Sequence, residues 1–252
     1  MKWYKKDQHF LIDQQVLGRI IEYAQLNSSD TVLEIGAGYG NLTEKLAQKA
    51  GKVIAIEVDT ELASSLDRFE NVEVIIGDAL KLDFLRFNKV ISNLPYSISS
   101  PVTFKLLEYK FDMGILMYQH EFAKRMVAAP GSKDYGRLSI AVQYRASVEI
   151  LDVVPRTAFS TPPEVNSAIV RLIPRPPSYN VKDVNFFMKF IKAAFSQRRK
   201  KLRNALLNNA QYLGIKDKGV EKLPPDIIDR RAETISPEEL AKLSDILFEN
   251  KI

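Results

Sequence analysis

The sequence predicts an α/β protein, a sheet with helices on both faces, followed by a small all-helical domain. Three observations predict it. Short apolar runs alternate with helical periodicity from about residue 31 to 173, the pattern of strands joined by crossover helices. A glycine-rich turn, Gly36-Ala37-Gly38-Tyr39-Gly40, follows the first apolar run and opens a helix. Beyond Pro174-Arg175-Pro176-Pro177-Ser178, a linker by composition, only helical patterns recur. The expected boundaries are 1–177 for the sheet domain and 178–252 for the helical one.

In chain order, Val16, Ile20, Ile21 and Ala24 recur at the spacing of an amphipathic helix. Thr31–Ile35 reads as a strand, and Asn41–Ala47 begins the helix after the glycine turn. Lys52–Glu57 and Val72–Ile76 are the next strands, with a helix expected over Asp59–Phe69 between them. Lys89–Ser92 is a buried strand end, and Phe104, Leu106 and Leu107 belong to the helix that follows. Phe111–Met117 is a strand, Glu121–Met126 is helical, and a further helix runs from Gly136 to about Arg145. Val148–Val153 and Ala168–Ile173 close the sheet. Because strand and helix alternate, a parallel sheet is expected. In the last third, Phe186, Phe187, Phe190, Ile191, Ala194 and Phe195 form one apolar helix face. Ser236-Pro237 is a helix start, Ser as cap and Pro at the first position.

Composition excludes several classes. The 252 residues are 46% hydrophobic and 27% charged, ordinary for a soluble globular protein. No apolar run approaches the ~18 residues of a membrane span. The start, Met1-Lys2-Trp3-Tyr4-Lys5-Lys6-Asp7, has no apolar signal core, so a cytoplasmic protein is expected. With no cysteine there is no disulfide, thiol nucleophile or Cys-ligated zinc, and with two histidines no His-based metal site is expected. The net charge of +5 is unevenly placed: from Ser178 onward there are 15 basic against 10 acidic residues, and the rest of the chain has 21 of each. A basic excess confined to one domain is the usual footprint of nucleic-acid binding.

The chemistry concentrates at strand ends. Asn93-Leu94-Pro95-Tyr96 follows the Lys89–Ser92 run and precedes a helix entry at Ser97–Pro101. In open α/β sheets ligands bind at the carboxyl ends of strands. The exocyclic amine of an aromatic base is a poor nucleophile because its lone pair is delocalised into the ring. An Asn side-chain oxygen and the Pro95 carbonyl can accept its two N–H bonds and pull the nitrogen toward tetrahedral geometry. Tyr96 can stack on the base, worth roughly 1–3 kcal/mol. A plain strand-to-helix turn accounts for the same residue types. Upstream, the glycines read G-x-G-x-G and not the G-x-G-x-x-G of dinucleotide sites, which counts against NAD. Glu57, 21 residues after Gly36, ends the second strand, where an acid can chelate ribose hydroxyls. Asp78 ends the third, placed to accept from an adenine amine. Two acids on successive strand ends beside a glycine turn point to an adenosine-type ligand. The rigid loop Phe159-Ser160-Thr161-Pro162-Pro163 is expected to present Phe159 to the same cleft as Tyr96.

Across nearly its whole length the chain resembles the rRNA adenine N6,N6-dimethyltransferases of the KsgA type. The resemblance is carried by Gln8-His9-Phe10-Leu11, Glu34-Ile35-Gly36-Ala37-Gly38-Tyr39-Gly40, Val53–Glu57, Gly77-Asp78-Ala79 and Asn93–Ser99. It continues through Tyr135–Ser139, Ala158-Phe159, Pro162–Val165 and Phe195–Lys200, the last being what points to this family among methyltransferases. The resemblance implies a Rossmann-like methyltransferase sheet and S-adenosylmethionine as methyl donor, with no metal. It implies donor contacts at His9, Leu11, Gly36, Gly38, Glu57, Asp78, Ala79 and Asn93; His9 stands where the family more often has Asn. It implies catalytic roles for Asn93, Pro95, Tyr96 and Phe159, and a flipped adenine as acceptor. RNA contacts are expected from Arg198, Arg199, Lys200, Lys201 and Arg203. The implied partners are small-subunit rRNA and the small ribosomal subunit or its precursor, bound by a monomer with no membrane involvement. A large-subunit rRNA methyltransferase and a non-catalytic ribosome assembly or transcription factor of the same fold remain alternatives.

Overall fold

The computed structural model describes residues 8–250. Residues 1–7, read above for targeting signals, and 251–252 lie outside the described residues. The chain divides into two compact units. One holds the chain through Ala123 together with Ala146–Arg175, and the other holds Lys124–Arg145 and the chain from Pro176 onward.

The first unit begins with α1, Gln14–Ala24, capped by the Asp13 carboxylate, which accepts from the Gln15 and Val16 N–H groups. Then follow β1 (Thr31–Ile35), α2 (Asn41–Ala47), β2 (Lys52–Glu57), α3 (Thr60–Ala63) and β3 (Val72–Ile76). The helix expected over Asp59–Phe69 is thus a single α turn, prolonged by a 3₁₀ turn at Ser64–Leu66. Next come β4 (Lys89–Asn93), a 3₁₀ turn at Tyr96–Ile98, α4 (Ser99–Leu106), β5 (Met113–Gln119) and α5 (His120–Val127), whose last turns pass into the second unit. After α6 (Arg137–Gln143) the chain returns through β6 (Ala146–Val154) and β7 (Ser167–Pro174).

The strand order is β3-β2-β1-β4-β5-β7-β6. Strands β1 to β5 are parallel, but β7 pairs antiparallel with both β5 and β6, so the expected parallel sheet is mixed at one edge. The reason is the short connection between β6 and β7, which returns as a hairpin without a crossover helix. Two consequences position the site. The chain leaves β1 toward β2 and β3, then crosses to β4 on the other side, so a topological switch point lies between the carboxyl ends of β1 and β4. The β6–β7 loop, 155–166, emerges at that same end, because β7 starts opposite Gln119, the last residue of β5.

The second unit comprises 124–145, with α6, and α7 (Val184–Ala194), α8 (Leu202–Asn208), α9 (Ala210–Leu213), α10 (Asp217–Val220), α11 (Pro225–Ile228) and α12 (Pro237–Glu249). A cut at 177/178 puts 124–145 with the sheet; the packing groups it with the helices. Tyr135, Ile140 and Tyr144 share one apolar cluster with Phe186, Phe187 and Phe190 of α7, and the Tyr135 hydroxyl donates to the Ile235 carbonyl at 3.1 Å. Ser236 caps α12 in a reciprocal box with Glu239. No helix among the described residues is long and apolar enough to cross a membrane.

Candidate active site

A cleft of about 1020 Å³, open mouth included, lies at the switch point. It is lined by the ends of β1 and β2, the turn after β3, and the 93–96 motif. Gly36, Gly38 and Gly40 have φ of +77°, +56° and +85°, the left-handed region that favours glycine. At Gly36 a Cβ would also come within 3.1 Å of the Pro95 ring, so the glycine turn and the motif pack directly on one another.

Glu57 is buried at the end of β2. Its Oε1 accepts from the Val58 and Asp59 N–H groups and its Oε2 from Gly38, each at 2.9 Å. A carboxylate has about four acceptor sites, so Oε2 has one beyond these three bonds. Asp78 closes a turn on the Leu80 N–H through Oδ1 at 2.9 Å, and its Oδ2 stands 3.8 Å from the Lys81 ammonium. Ala79 lines the cleft beside it, its carbonyl accepting from Lys105 Nζ at 3.0 Å.

Asn93 ends β4. Its Nδ2 donates to the His9 carbonyl at 2.9 Å, which turns the side-chain oxygen the other way. That Oδ1 is buried and has no hydrogen-bond partner. A buried polar atom without a partner costs about 1–3 kcal/mol, and the residue that carries this one lines the cleft. The Pro95 carbonyl is more occupied, accepting from the Ile98 N–H at 3.2 Å and the Ser99 hydroxyl at 3.4 Å. Tyr96 is fixed at both ends: its hydroxyl is 2.5 Å from Ser167 Oγ, and its ring stacks on His9 with centroids 5.4 Å apart.

The segment 8–13 ties these parts together. Phe10 packs over Gly38 and against Tyr39, and the Leu11 carbonyl accepts from Asn41 Nδ2 at 2.8 Å. His9 Nδ1–H donates to the Thr161 carbonyl at 2.8 Å. Ser160 N–H donates to the Phe10 carbonyl, and Ile12 N–H to that of Ala158, both at 2.9 Å. The structure thus brings His9, Leu11, Gly36, Gly38, Glu57, Asp78, Ala79, Asn93, Pro95 and Tyr96 to one cleft.

Phe159 is the exception. It is 2% exposed and packs in the sheet unit's core with Leu11 and Ile169, held there by the bridge between Leu11 and Phe159. The expectation that it faces the cleft is corrected: the loop reaches the site through Thr161, while the ring is core. Glu34 was missed. It lines the cleft from β1, 2% exposed, with Oε2 unpartnered, and burial, with Glu57 nearby, pushes its carboxyl up to about 8. A charged residue inside the apolar run Thr31–Ile35 was the available signal.

The basic run of the helical unit is divided. Arg198 pairs with Glu233 at 2.8 Å and bonds the Ser132 and Lys133 carbonyls. Lys201 and Arg203 both pair with Asp229 at 3.3 Å. Arg199 and Lys200 are exposed.

A mixed sheet with a glycine turn, acids closing two successive strands and an Asn-Leu-Pro-Tyr motif at its switch point defines the Rossmann-like methyltransferase class. Residues 3–236 match the family model described as ribosomal RNA adenine dimethylase, and the chain belongs to that family. It is 57% identical, over 97% of its length and 93% of the relative's, to the "Probable ribosomal RNA small subunit methyltransferase A" of Methanosarcina acetivorans. It is 50% identical to the protein of the same name from Methanococcoides burtonii, over 96% and 92% of the two chains. Among solved structures, a dimethyladenosine transferase from Plasmodium falciparum superposes with a TM-score of 0.79 at 34% identity, covering 93% of this chain and 96% of the other. The 23S rRNA methyltransferase ErmE gives 0.69 at 27% identity, covering 95% and 99%.

Proposed function

We propose that this protein transfers methyl groups from S-adenosylmethionine to N6 of adenosines in small-subunit rRNA, giving N6,N6-dimethyladenosine during small-subunit biogenesis. It works as a monomer in the cytoplasm, with the small subunit or its precursor as substrate. The observation that carries the chemistry is the buried, unpartnered Oδ1 of Asn93, an acceptor aimed by the bond from Nδ2 to His9.

The residues present fit the donor. Gly36 and Gly38 let the backbone come close, the free acceptor on Glu57 takes a ribose hydroxyl, and Asp78 Oδ2 takes an adenine amine. His9, Leu11 and Ala79 complete the lining. When bound, the donor supplies a methyl group already activated on a sulfonium. The rest is positioning. Asn93 Oδ1 accepts one N6–H of the target adenine and so draws the nitrogen lone pair out of conjugation. The Pro95 carbonyl accepts the second once the Ser99 hydroxyl, its more distant donor, rotates away. Tyr96, held by Ser167 and His9, stacks on the flipped base. Arg199 and Lys200 contact phosphate, while Arg198, Lys201 and Arg203 hold their own domain. A large-subunit substrate is less supported, because the relatives at 50–57% identity bear small-subunit names.

The test is single-turnover methylation of under-methylated small subunits with labelled donor, followed by digestion and identification of the nucleosides. The wild type is expected to yield N6,N6-dimethyladenosine. Asn93→Ala should lose roughly 10²-fold or more in rate, the scale on which removing one preorganised polar contact acts, while calorimetry shows donor binding within a few-fold of wild type. An Asn93→Ala rate equal to wild type would reduce the motif to a structural turn.

A further inference from the structure

The unmatched positive charge of the helical unit is not confined to its densest run. From Val184 to Lys216 the chain has eight Lys or Arg and no Asp or Glu. Acids from outside this stretch match Arg198, Lys201 and Arg203. Lys189 and Lys192 are exposed and, three residues apart, share one side of α7. The other side takes Phe186, Phe187, Phe190 and Ile191 into the core.

Past Lys192 the chain meets the α8–α9 segment along an antiparallel seam with three rungs. Lys192 Nζ lies 5.2 Å from the Tyr212 ring centroid. Asn209 Nδ2 donates to Ser196 Oγ, and Asn208 Nδ2 to Gln197 Oε1, each at 3.0 Å. Partner numbers rise on one side as they fall on the other, so these rungs form a single surface. At its end Tyr212 is 45% exposed, and Lys192 lies over its ring. Each part matches a feature of one ligand. An exposed aromatic offers a stacking face to an unpaired base. Side-chain amides with donors and acceptors to spare suit base edges and 2′-hydroxyls. Lys189 and Lys192 at one end, and Arg199 and Lys200 beyond Gln197, suit phosphates. A duplex is read by shape and backbone, with its bases stacked inside, and gives Tyr212 nothing to stack on.

We propose that this seam is a binding surface for single-stranded RNA, distinct from the adenine cleft, on which one unpaired base stacks against Tyr212. The proposal rests on the reading of this protein as an rRNA-modifying enzyme and adds the strand form and the contact residues.

The experiment measures equilibrium binding of a ten-nucleotide single-stranded RNA and of a blunt RNA duplex to the full chain and its variants. Tyr212→Ala should weaken single-strand binding about 5- to 150-fold, the range base–aromatic stacking supplies, and leave duplex binding within twofold. Tyr212→Phe should bind like wild type, and the indole of Tyr212→Trp should be quenched when the single strand is added. Changing Lys189 and Lys192 together to Gln should lower the single-strand salt slope by up to about 1.4. Wild-type affinity of Tyr212→Ala for both RNAs overturns the proposal. So does an equal loss for both, or competition by polyglutamate as strong as that by single-stranded RNA. Methylation of small subunits by the wild type separates the two readings. If the wild type methylates subunits and Tyr212→Ala binds normally, only the seam proposal falls. If it binds neither RNA and methylates nothing, the functional reading falls with it.

Discussion

At the scale of single residues, polar types at strand ends were readable because a polar group closing a buried run must find a partner at that end. Asn93, Glu57 and Asp78 stand at the ends of β4, β2 and β3 or just beyond, and the cleft gathers all three. Phe159 was misread because a loop aromatic has no periodic neighbours to mark it as core; its burial and its packing with Leu11, about 150 residues away in sequence, show where the ring goes. Glu34 has the opposite history: its sequence position signalled it, inside an apolar strand, yet no role was assigned. Its carboxyl is raised from 4.5 to about 8, by burial first and by Glu57 second. Between those values the unfolded chain is ionised at this site while the folded chain keeps the proton. Glu34's contribution to stability is therefore whole below about 4.5, declines as pH rises, and is lost once pH passes about 8. The loss is on the order of a few kcal/mol. Glu34→Gln should flatten the fall in Tm between pH 5 and 8.5, and should be more stable than wild type at the upper end. Thermal denaturation across that range checks it; parallel curves for the two proteins would show that Glu34 does not hold its proton.

At the scale of elements, the strands were legible as apolar runs, but their directions were not. Alternation of strand and helix predicts parallel pairing, and it fails where β6 returns directly into β7, since local periodicity carries no information on which neighbour a strand will pair with. The glycine turn was legible as a turn that needs positive φ, but not its packing against the Pro95 ring. That packing makes a pair of glycines informative. Gly36→Ala puts a Cβ at φ +77° and 3.1 Å from Pro95. Strain of about 1–2 kcal/mol corresponds to a Tm lower by roughly 2–8 °C. Because the displaced ring belongs to the motif, methylation at saturating donor and RNA should fall as well. Gly18→Ala, in α1 with nothing within 4 Å of the new Cβ, should instead raise Tm by about 1–4 °C and leave methylation unchanged. Melting curves and single-turnover rates for both variants are the measurement. Equal rates for Gly36→Ala and Gly18→Ala would mean that the glycine turn does not support the motif.

At the scale of the whole molecule, the charge asymmetry was legible from counting, and the partition of the fold only in part. Residues 124–145 follow the sheet in sequence, so a linear reading leaves them there. What moves them is a tertiary core: Tyr144 meets Phe187 with centroids 5.6 Å apart, and Tyr135 meets Phe195 edge-on at 5.8 Å. The same tertiary packing divides the basic run into cations paired within the domain, Arg198, Lys201 and Arg203, and exposed ones, Arg199 and Lys200. Arg198, through Glu233 and the Ser132 and Lys133 carbonyls, joins the loop before α6 to the turn before α12, where the Gly131 N–H also donates to the Glu233 carbonyl at 2.7 Å. A part-exposed pair of this kind contributes up to about 1 kcal/mol, so Arg198→Gln should lower Tm by roughly 2–4 °C while changing the salt dependence of RNA binding little. The double change of Arg199 and Lys200 to Gln should do the reverse. Its Tm should stay at the wild-type value, and the slope of log affinity against log salt should fall by about 1.4–1.8, or roughly 0.7–0.9 for each phosphate no longer neutralised. Binding of small-subunit rRNA between about 50 and 300 mM salt, set beside melting curves for the two variants, separates the roles. If Arg198→Gln carries the slope change and the double variant carries none, the matched cation is the one that meets phosphate, and the ion pair with Glu233 must open when RNA binds.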